Sequence, residues 1–424
     1  MRSPSFWNER AHGATYGTLG SDVQKATGVS AIRSLNRGLG LRSSTGPTLR
    51  SVRRMPNLMR ALCEINRRPI GVDGIPWEAF VNPRAYALWN PHFLEEFGLK
   101  PLRNVQSRMA FGGIPDPAKE VRVKKRVVQC GTVANRIIER AIARKLQINL
   151  DRNFSNASWA YRPGRSAAEA IKQIRHCVRR GVQWALTTDI SHFFDSIDRL
   201  ILTEQLQDTI ADEYLCELII EVISPCVFCL DGEIRFQETG VPQGNGLSPI
   251  LSNLHLHQFD VVCSSFWHCY RYADDILVLG HTKREVLKAR DSIRRLLCLL
   301  GLKLNRQKTF IKDLHREPVV FLGFEIRGGN IYPPEERILR LERKLKIRGQ
   351  PEERINLMKG FVNRYRVGPV RKLFRRVDQR LHRLYPPGVT LVGLLDTANA
   401  SSADQRGRRP EEVGQGRGGH RARE

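Results

Sequence analysis

The chain has 424 residues, 41% of them hydrophobic and 26% charged, enough apolar content to fill roughly two to four domain-sized units rather than stay disordered. Lys and Arg total 69 against 43 Asp and Glu, a net charge of +26, which points away from a small-molecule metabolic enzyme and toward a polyanion, because each neutralised phosphate releases counterions. No membrane-spanning helix is expected, since no run of about 18 apolar residues is present, and nine scattered cysteines, an odd number, exclude a disulfide framework.

Residues 1–54 are rich in Arg, Ser, Gly and Thr, with Glu9 and Asp22 the only acids. A basic N-terminal arm is expected, an added element or a transit peptide being the alternatives. A globular pattern starts near residue 55, and apolar spacing predicts helices over 57–66, 132–150 and 166–180, the last with Ser166 as N-cap. Residues 183–188 read as a strand running into Asp189. Residues 226–237 read as a hairpin around Asp231-Gly232, which makes Cys226 and Cys229 strand cysteines rather than a zinc site. Residues 270–280 read as two strands around a tight acidic turn, 283–300 as a helix and 319–326 as a strand. Beyond Pro333-Pro334, helical patterns cover 335–348, 351–365 and 369–385. The first places Ile338, Leu341 and Leu345 on one face and Arg337, Arg340, Arg343, Lys344 and Lys346 on the rest. Residues 396–424 lack periodicity and read as a disordered tail. The whole is an α+β core followed by a basic α-helical unit.

Three acidic positions carry the chemistry. Asp189 ends the apolar strand Trp184-Ala-Leu-Thr-Thr-Asp, and Asp274 and Asp275 lie in Arg271-Tyr-Ala-Asp-Asp-Ile-Leu-Val-Leu. Adjacent carboxylates in an apolar hairpin are costly unless a cation neutralises them. Hard oxygen ligands suit Mg²⁺, and two ions about 3.5–4 Å apart can activate a primer 3′-hydroxyl and stabilise leaving pyrophosphate.

Several segments stand around these acids in a fixed order: Arg126-Val-Val-Gln-Cys-Gly-Thr-Val-Ala-Asn-Arg-Ile-Ile, Ser158-Trp-Ala-Tyr-Arg-Pro-Gly-Arg-Ser-Ala, Asp189-Ile-Ser-His-Phe-Phe-Asp-Ser-Ile-Asp, Gly240-Val-Pro-Gln-Gly-Asn-Gly-Leu-Ser-Pro-Ile-Leu-Ser-Asn-Leu, Tyr272-Ala-Asp-Asp, Gly301-Leu-Lys-Leu-Asn-Arg-Gln-Lys-Thr and Phe321-Leu-Gly-Phe-Glu-Ile. Their sequence resembles bacterial reverse transcriptases of the group II intron-like and retron-like class. The resemblance implies an α+β right-hand polymerase: fingers over 55–182, a palm with an antiparallel sheet over 183–332 and an α-helical thumb over 333–395. It implies that Asp189, Asp274 and Asp275 hold two Mg²⁺ ions, for which Mn²⁺ can substitute, with the main-chain carbonyl of Ile190 completing the shell. Gln243 and Gly244 would line the nucleotide pocket. Arg126, with Lys124 or Lys125, would grip the triphosphate, since Arg suits bidentate phosphate contact. Lys308 would stand near the pyrophosphate as proton donor or charge stabiliser.

Phe194, five residues after Asp189, would lie under the sugar in this fold and exclude a ribose 2′-hydroxyl, favouring dNTPs. Asp195 follows it and, on a strand, would face the other way. The partners implied are an RNA template, a cognate noncoding RNA, a DNA primer or product and dNTPs, in the bacterial cytoplasm and without a membrane. The short stretch after the palm has no room for an RNase H domain. A free-standing enzyme, of a kind several branches of which act in antiphage defence, is therefore the expectation, with an intron-encoded maturase that folds intron RNA as the alternative.

Overall fold

The computed structural model describes residues 46–65, 73, 75–82, 100–110, 116–123 and 126–407, without the side chains of 126 and 402–407. The rest of the expected basic arm (1–45), Lys124, Lys125 and residues 408–424 lie outside the described residues. Chain contacts divide the molecule into two units, 46–170 with 182–313 and 171–181 with 314–407.

The first unit opens with four short helices: α1 (Leu49–Val52), α2 (Met55–Glu64), α3 (Trp77–Val81) and α4 (Pro101–Ala110). Val52 is fully buried and Leu49 packs against the core, so the chain is anchored to the first unit already at 49–52, within the stretch that the sequence assigns to the arm. Strands β1 (Ala118–Val123) and β2 (Arg126–Cys130) follow, then helix α5 (Val133–Leu150). Thr132 caps α5 by accepting from the Asn135 N–H at 3.1 Å, and the helix buries Ile137, Ile138, Ile142 and Leu146, at the 3–4 residue spacing of an amphipathic helix. Helix α6 (Ala167–Arg179) passes from the first unit to the second.

Next come β3 (Trp184–Asp189), a one-turn helix α7 (Phe193–Ser196), α8 (Arg199–Thr209), α9 (Glu213–Val222), β4 (Cys226–Phe228) and β5 (Ile234–Phe236). Helices α10 (Ser248–His255) and α11 (His257–Phe266), strands β6 (His268–Tyr272) and β7 (Asp275–Gly280), α12 (Lys283–Leu299) and β8 (Phe310–Asp313) complete the unit. Two sheets result, with strand orders β2-β1-β4-β5 and β6-β7-β3-β8; the second is antiparallel throughout. Residues Ile276–Leu279 of β7 are all buried, which explains why that strand reads as an unbroken apolar run. Helix α12 turns Val286, Ala289, Ile293, Leu296 and Leu297 inward and packs on β3, β7 and β8. Cys226 and Cys229 stay free, on the hairpin that the sequence predicts.

The second unit holds a three-stranded sheet, β9 (Val319–Phe321), β10 (Phe324–Arg327) and β11 (Asn330–Tyr332), then helices α13 (Glu335–Ile347), α14 (Pro351–Tyr365), α15 (Arg371–Leu381) and α16 (Leu391–Gly407). Three sequence expectations change here. The strand expected over 319–326 is two strands, because Leu322 and Gly323 both take positive φ, +52° and +74°, and reverse the chain. The palm boundary expected at 332 falls inside this unit, since Tyr365 of α14 donates to the Gly323 carbonyl at 3.0 Å and packs edge-on against Phe324. The tail expected from 396 is helical to Gly407: Asp378 caps α16 by accepting from the N–H groups of Leu391 (2.9 Å) and Val392 (3.1 Å), and Asp396 pairs with Arg371. Tyr365 and Tyr385 are buried packing residues.

Candidate active site

The site is built at one end of the β6-β7-β3-β8 sheet. Asp189 is the last residue of β3 and stands directly opposite Asp275, the first of β7. Between β6 and β7, Ala273 takes φ +59°, a left-handed conformation that costs an L-residue about 1–2 kcal/mol and makes the two-residue reversal possible. The Ile190 N–H donates to the Asp274 carbonyl at 3.2 Å, so the turn is tied to the chain just past Asp189. Beyond β3, His192 at φ +46° breaks the extended run and starts α7.

Asp189 is the best-held carboxylate. Its Oδ2 accepts from Lys308 Nζ at 2.7 Å and its Oδ1 from Asn305 Nδ2 at 3.3 Å, while its carbonyl accepts the Asn305 N–H at 2.8 Å. The side chain of Asp189 is 11% exposed and that of Lys308 63%, so the ammonium reaches in from the solvent side. Its hydrogen bond to Asp189, above all, holds the Lys308 pKa above its ordinary value, and the charges of Asp189, Asp274 and Asp275 add to this. Asp275 is pushed up to about 6, first by partial loss of solvent around it, then by the charges of Asp274 and Asp189, with Lys308 opposing. Like charges facing each other across a ladder are destabilising, and here a third carboxylate adjoins them.

Among the described residues, no three His, Cys, Asp or Glu side chains close into a ready metal cage. The donors still fit a hard cation that keeps waters and takes the rest of its shell from phosphate oxygens, which needs only one or two carboxylates. Asp275, partly desolvated, paired in register with Asp189 and next to Asp274, favours such a cation, and Lys308 meets the cluster with positive charge from the protein.

In front of the carboxylates lies a cleft of about 770 Å³ lined by Asp189, Ile190, Phe194, Asp195, Gln243, Asp274, Asn305 and Lys308, with Gln129 and Arg235 from the β2-β1-β4-β5 sheet. This is the size range of small-molecule sites. Of the residues expected from sequence, Asp189, Ile190, Phe194, Gln243, Asp274 and Lys308 thus share one wall, with Asp275 in register behind. Arg126 begins β2, opposite Val123; its side chain, with Lys124 and Lys125, falls outside the described residues.

One expectation is corrected. Residues 193–196 form a helix, not a strand, so the alternation that would turn Asp195 away does not apply. Asp195 lines the cleft, and both its oxygens accept from Gln243 Nε2, at 3.0 and 3.1 Å. Gly244 acts through its backbone. At φ +107°, a Cβ there would stand 2.7 Å from the Gln129 carbonyl oxygen, and the Gln129 N–H donates to the Gln243 carbonyl at 2.7 Å. The glycine lets strand β2 lie directly on the Gln243 loop.

Other residues that support the site were missed. Arg199 donates to the carbonyls of Gly240 (2.8 Å), Ile223 (2.9 Å) and Gln237 and to Ser224 Oγ (3.0 Å), fixing the entry to the Gln243 loop. Arg162, in the Arg-Pro-Gly-Arg-Ser segment, is a buckle: it donates to Asp151 Oδ1 (2.8 Å) and to the carbonyls of Asp151 (2.6 Å) and Ser155 (2.7 Å). Arg271 is fully buried against Asp260. The signal for Arg271 was an arginine inside an apolar strand, which burial permits only with a partner.

Residues 114–326 match the family described as reverse transcriptase (RNA-dependent DNA polymerase). Protein YkfC of Escherichia coli K12 is 27% identical over a segment covering 50% of this chain and 67% of that protein. The group II intron-encoded protein LtrA of Lactococcus lactis subsp. cremoris is 29% identical over 34% of this chain and 24% of its own length, so the match spans about a quarter of that relative. Among solved structures, a partial Cas6-RT-Cas1–Cas2 complex aligns at 23% identity over 59% of this chain and 41% of that one, with a TM-score of 0.36. With its paired carboxylates on an antiparallel palm sheet and the family's segment covering half of its length, the chain belongs to the reverse transcriptase (RNA-dependent DNA polymerase) family and has the right-hand polymerase fold class.

Proposed function

We propose that this chain joins deoxynucleotides on an RNA template by two-metal-ion nucleotidyl transfer. The observation that carries the reading is that Asp189 and Asp274 line one cleft with Lys308, Gln243 and Phe194, while Asp275 stands in register with Asp189. Asp189, Asp274 and Asp275 would hold Mg²⁺, with the Ile190 carbonyl as a further oxygen. The ions, when bound, would lower the pKa of the primer hydroxyl and neutralise charge on the reacting phosphate. Lys308 is free to move from Asp189 toward the pyrophosphate, since its side chain is 63% exposed, and there it would donate a proton or balance charge. Arg126, with Lys124 or Lys125, would hold the triphosphate. Gln243, anchored by Asp195, would lie beside the incoming nucleotide, and Phe194, packed on the core and tilted at 47° to Phe193 at a centroid distance of 5.3 Å, would form the floor under its sugar. The Phe194 ring, which lines the cleft, would crowd a ribose 2′-hydroxyl, and this supports dNTP use.

The net charge of +26 supports a nucleic-acid partner. We take the template to be a dedicated structured RNA. Sequencing of copurified RNA separates the two sources: a short separate transcript fits a defence-type enzyme, and intron RNA fits the maturase reading, which similarity to LtrA favours. The activity itself is tested by primer extension on an RNA template with Mg²⁺ and either dNTPs or rNTPs, beside an Asp274→Ala, Asp275→Ala double variant. Extension with dNTPs alone, absent in the variant, is expected. Extension that survives in the variant, or that uses rNTPs equally, refutes the proposal.

A further inference from the structure

Arg271 is the largest fully buried side chain of the molecule's described residues, and each nitrogen of its guanidinium has a partner. Nε donates to Asp260 Oδ1 at 2.6 Å, and Nη2 donates to Asp260 Oδ2. Nη2 also reaches Ser158 Oγ at 2.9 Å and Asn253 Oδ1 at 3.1 Å. Nη1 donates to the Ala273 carbonyl at 2.9 Å. The partners are themselves tied. Ser158 Oγ donates to Asn253 Oδ1 at 3.1 Å, and Asn253 Nδ2 donates to the Ala160 carbonyl at 2.9 Å. The main chain repeats the link: the Arg271 N–H donates to the Ala157 carbonyl at 2.8 Å, and the Trp159 N–H to the Arg271 carbonyl at 2.9 Å. Three separate sequence segments, around Ser158, Asn253 and Tyr272, therefore meet on one cation.

The Ala273 contact has a specific geometric effect. Asp274 sits between two peptide planes. The plane before it carries the Ala273 carbonyl, held by Arg271; the plane after it carries the Asp274 carbonyl, held by the Ile190 N–H at 3.2 Å. With both planes pinned, the direction in which the Asp274 Cα–Cβ bond leaves the chain is set, although Ala273 is in a left-handed conformation at φ +59° that an alanine would otherwise leave. The charge of Arg271 is not what acts on the carboxylates: the groups that move Asp275 are Asp274, Asp189 and Lys308, and Arg271 is neutralised by Asp260 with both side chains at 0–1% exposure.

We propose that Arg271, oriented by Asp260, Ser158 and Asn253, is the positioning residue of the metal-binding turn, holding Asp274 through the Ala273 carbonyl. This rests on the metal-ion reading given above. Lysine keeps the charge but offers one compact ammonium, which cannot grip Asp260 with two parallel bonds and reach the Ala273 carbonyl as well.

The test is Mn²⁺ binding, measured by electron paramagnetic resonance on the full chain without nucleotide or primer. The proteins compared are wild type, Asp274→Ala, Arg271→Lys and Ile293→Ala, the last a control destabilised in the core of α12. Loss of an outer partner of a metal ligand typically costs about 10–100-fold in affinity, so Arg271→Lys is expected to weaken the Asp274-dependent binding at least about tenfold, while Ile293→Ala leaves it unchanged. Equal binding in Arg271→Lys and wild type overturns the proposal and leaves the metal reading standing. Absence of any Asp274-dependent binding in wild type overturns both. If Arg271→Lys does not fold, Ser158→Ala decides, because it removes one partner of Nη2 and spares Asp260. Weaker binding than in Ile293→Ala then supports the proposal, and equal binding refutes it.

Discussion

Replacing Gly244 by alanine tests whether strand β2 lies on the Gln243 loop. Two costs arise at this position. The backbone at φ +107° suits glycine, and holding a residue with a Cβ in such a region costs about 1–3 kcal/mol. The added Cβ would also stand 2.7 Å from the Gln129 carbonyl oxygen, a backbone atom of a paired strand that cannot swing aside; overpacking of this kind costs about 1–3 kcal/mol. Together these predict a loss of about 2–6 kcal/mol, or a fall in Tm of roughly 4–24 °C in a unit of this size. Gly232→Ala separates the two contributions. Gly232 has φ +88° with nothing within 4 Å of its Cβ position, so it carries the strain without the clash. Thermal melting of both variants is the assay, with the KM for dNTP measured alongside, since displacement of the loop moves Gln243. Gly244→Ala is expected to melt several degrees below Gly232→Ala and to show a raised KM. If the two variants melt together, the close approach of Gln129 to the loop is wrong.

Further outcomes follow from the same geometry. Asp275, pushed up to about 6, is a carboxyl whose neutral form the fold favours. Without a cation its contribution to stability is therefore greatest near pH 4 and falls as pH rises through about 6, while Mg²⁺ competes with the proton for it. The Mg²⁺-induced rise in Tm should be small at pH 5 and larger at pH 8, and Asp275→Asn should flatten that dependence; an equal rise at both values in wild type would contradict the assignment. Phe194→Ala should relax discrimination against rNTPs, read as the ratio of kcat/KM for dNTP and rNTP, and an unchanged ratio would leave Phe194 as core packing. RNA affinity should fall steeply between about 50 and 200 mM salt, and a flat response would remove the electrostatic account of the +26 charge.

The chemistry was more legible in the sequence than the architecture around it. Asp189 and the Asp274-Asp275 pair stand out because carboxylates at the ends of apolar strands need a reason to be there, and the structure places Asp189 and Asp275 in register. Helices with strong apolar periodicity, such as α5 and α12, were readable to within a residue or two at their ends. Local backbone reversals were not. His192 at φ +46° converts an expected strand into α7, and Leu322-Gly323 splits one expected strand into two. Non-local support was equally invisible. Helix α16 owes its start to Asp378, thirteen residues before Leu391 in the chain, and Arg271 draws its partners from segments more than 100 residues apart. Such networks leave no periodic trace, and the only hint is a charged residue where an apolar one would be expected.

The central claim is that the Asp189, Asp274 and Asp275 cluster performs the nucleotidyl transfer. It is tested most directly by single-turnover incorporation of one dNTP on an RNA-templated primer by wild type and Asp275→Asn, with template–primer affinity measured in parallel. Asp275→Asn keeps the shape of the side chain and removes the charge that a metal ion needs. The predicted result is a rate reduced by about 10³-fold or more, in line with loss of a principal electrostatic stabiliser, at unchanged affinity. A rate within about tenfold of wild type, a barrier change of only ~1.4 kcal/mol, would contradict the account.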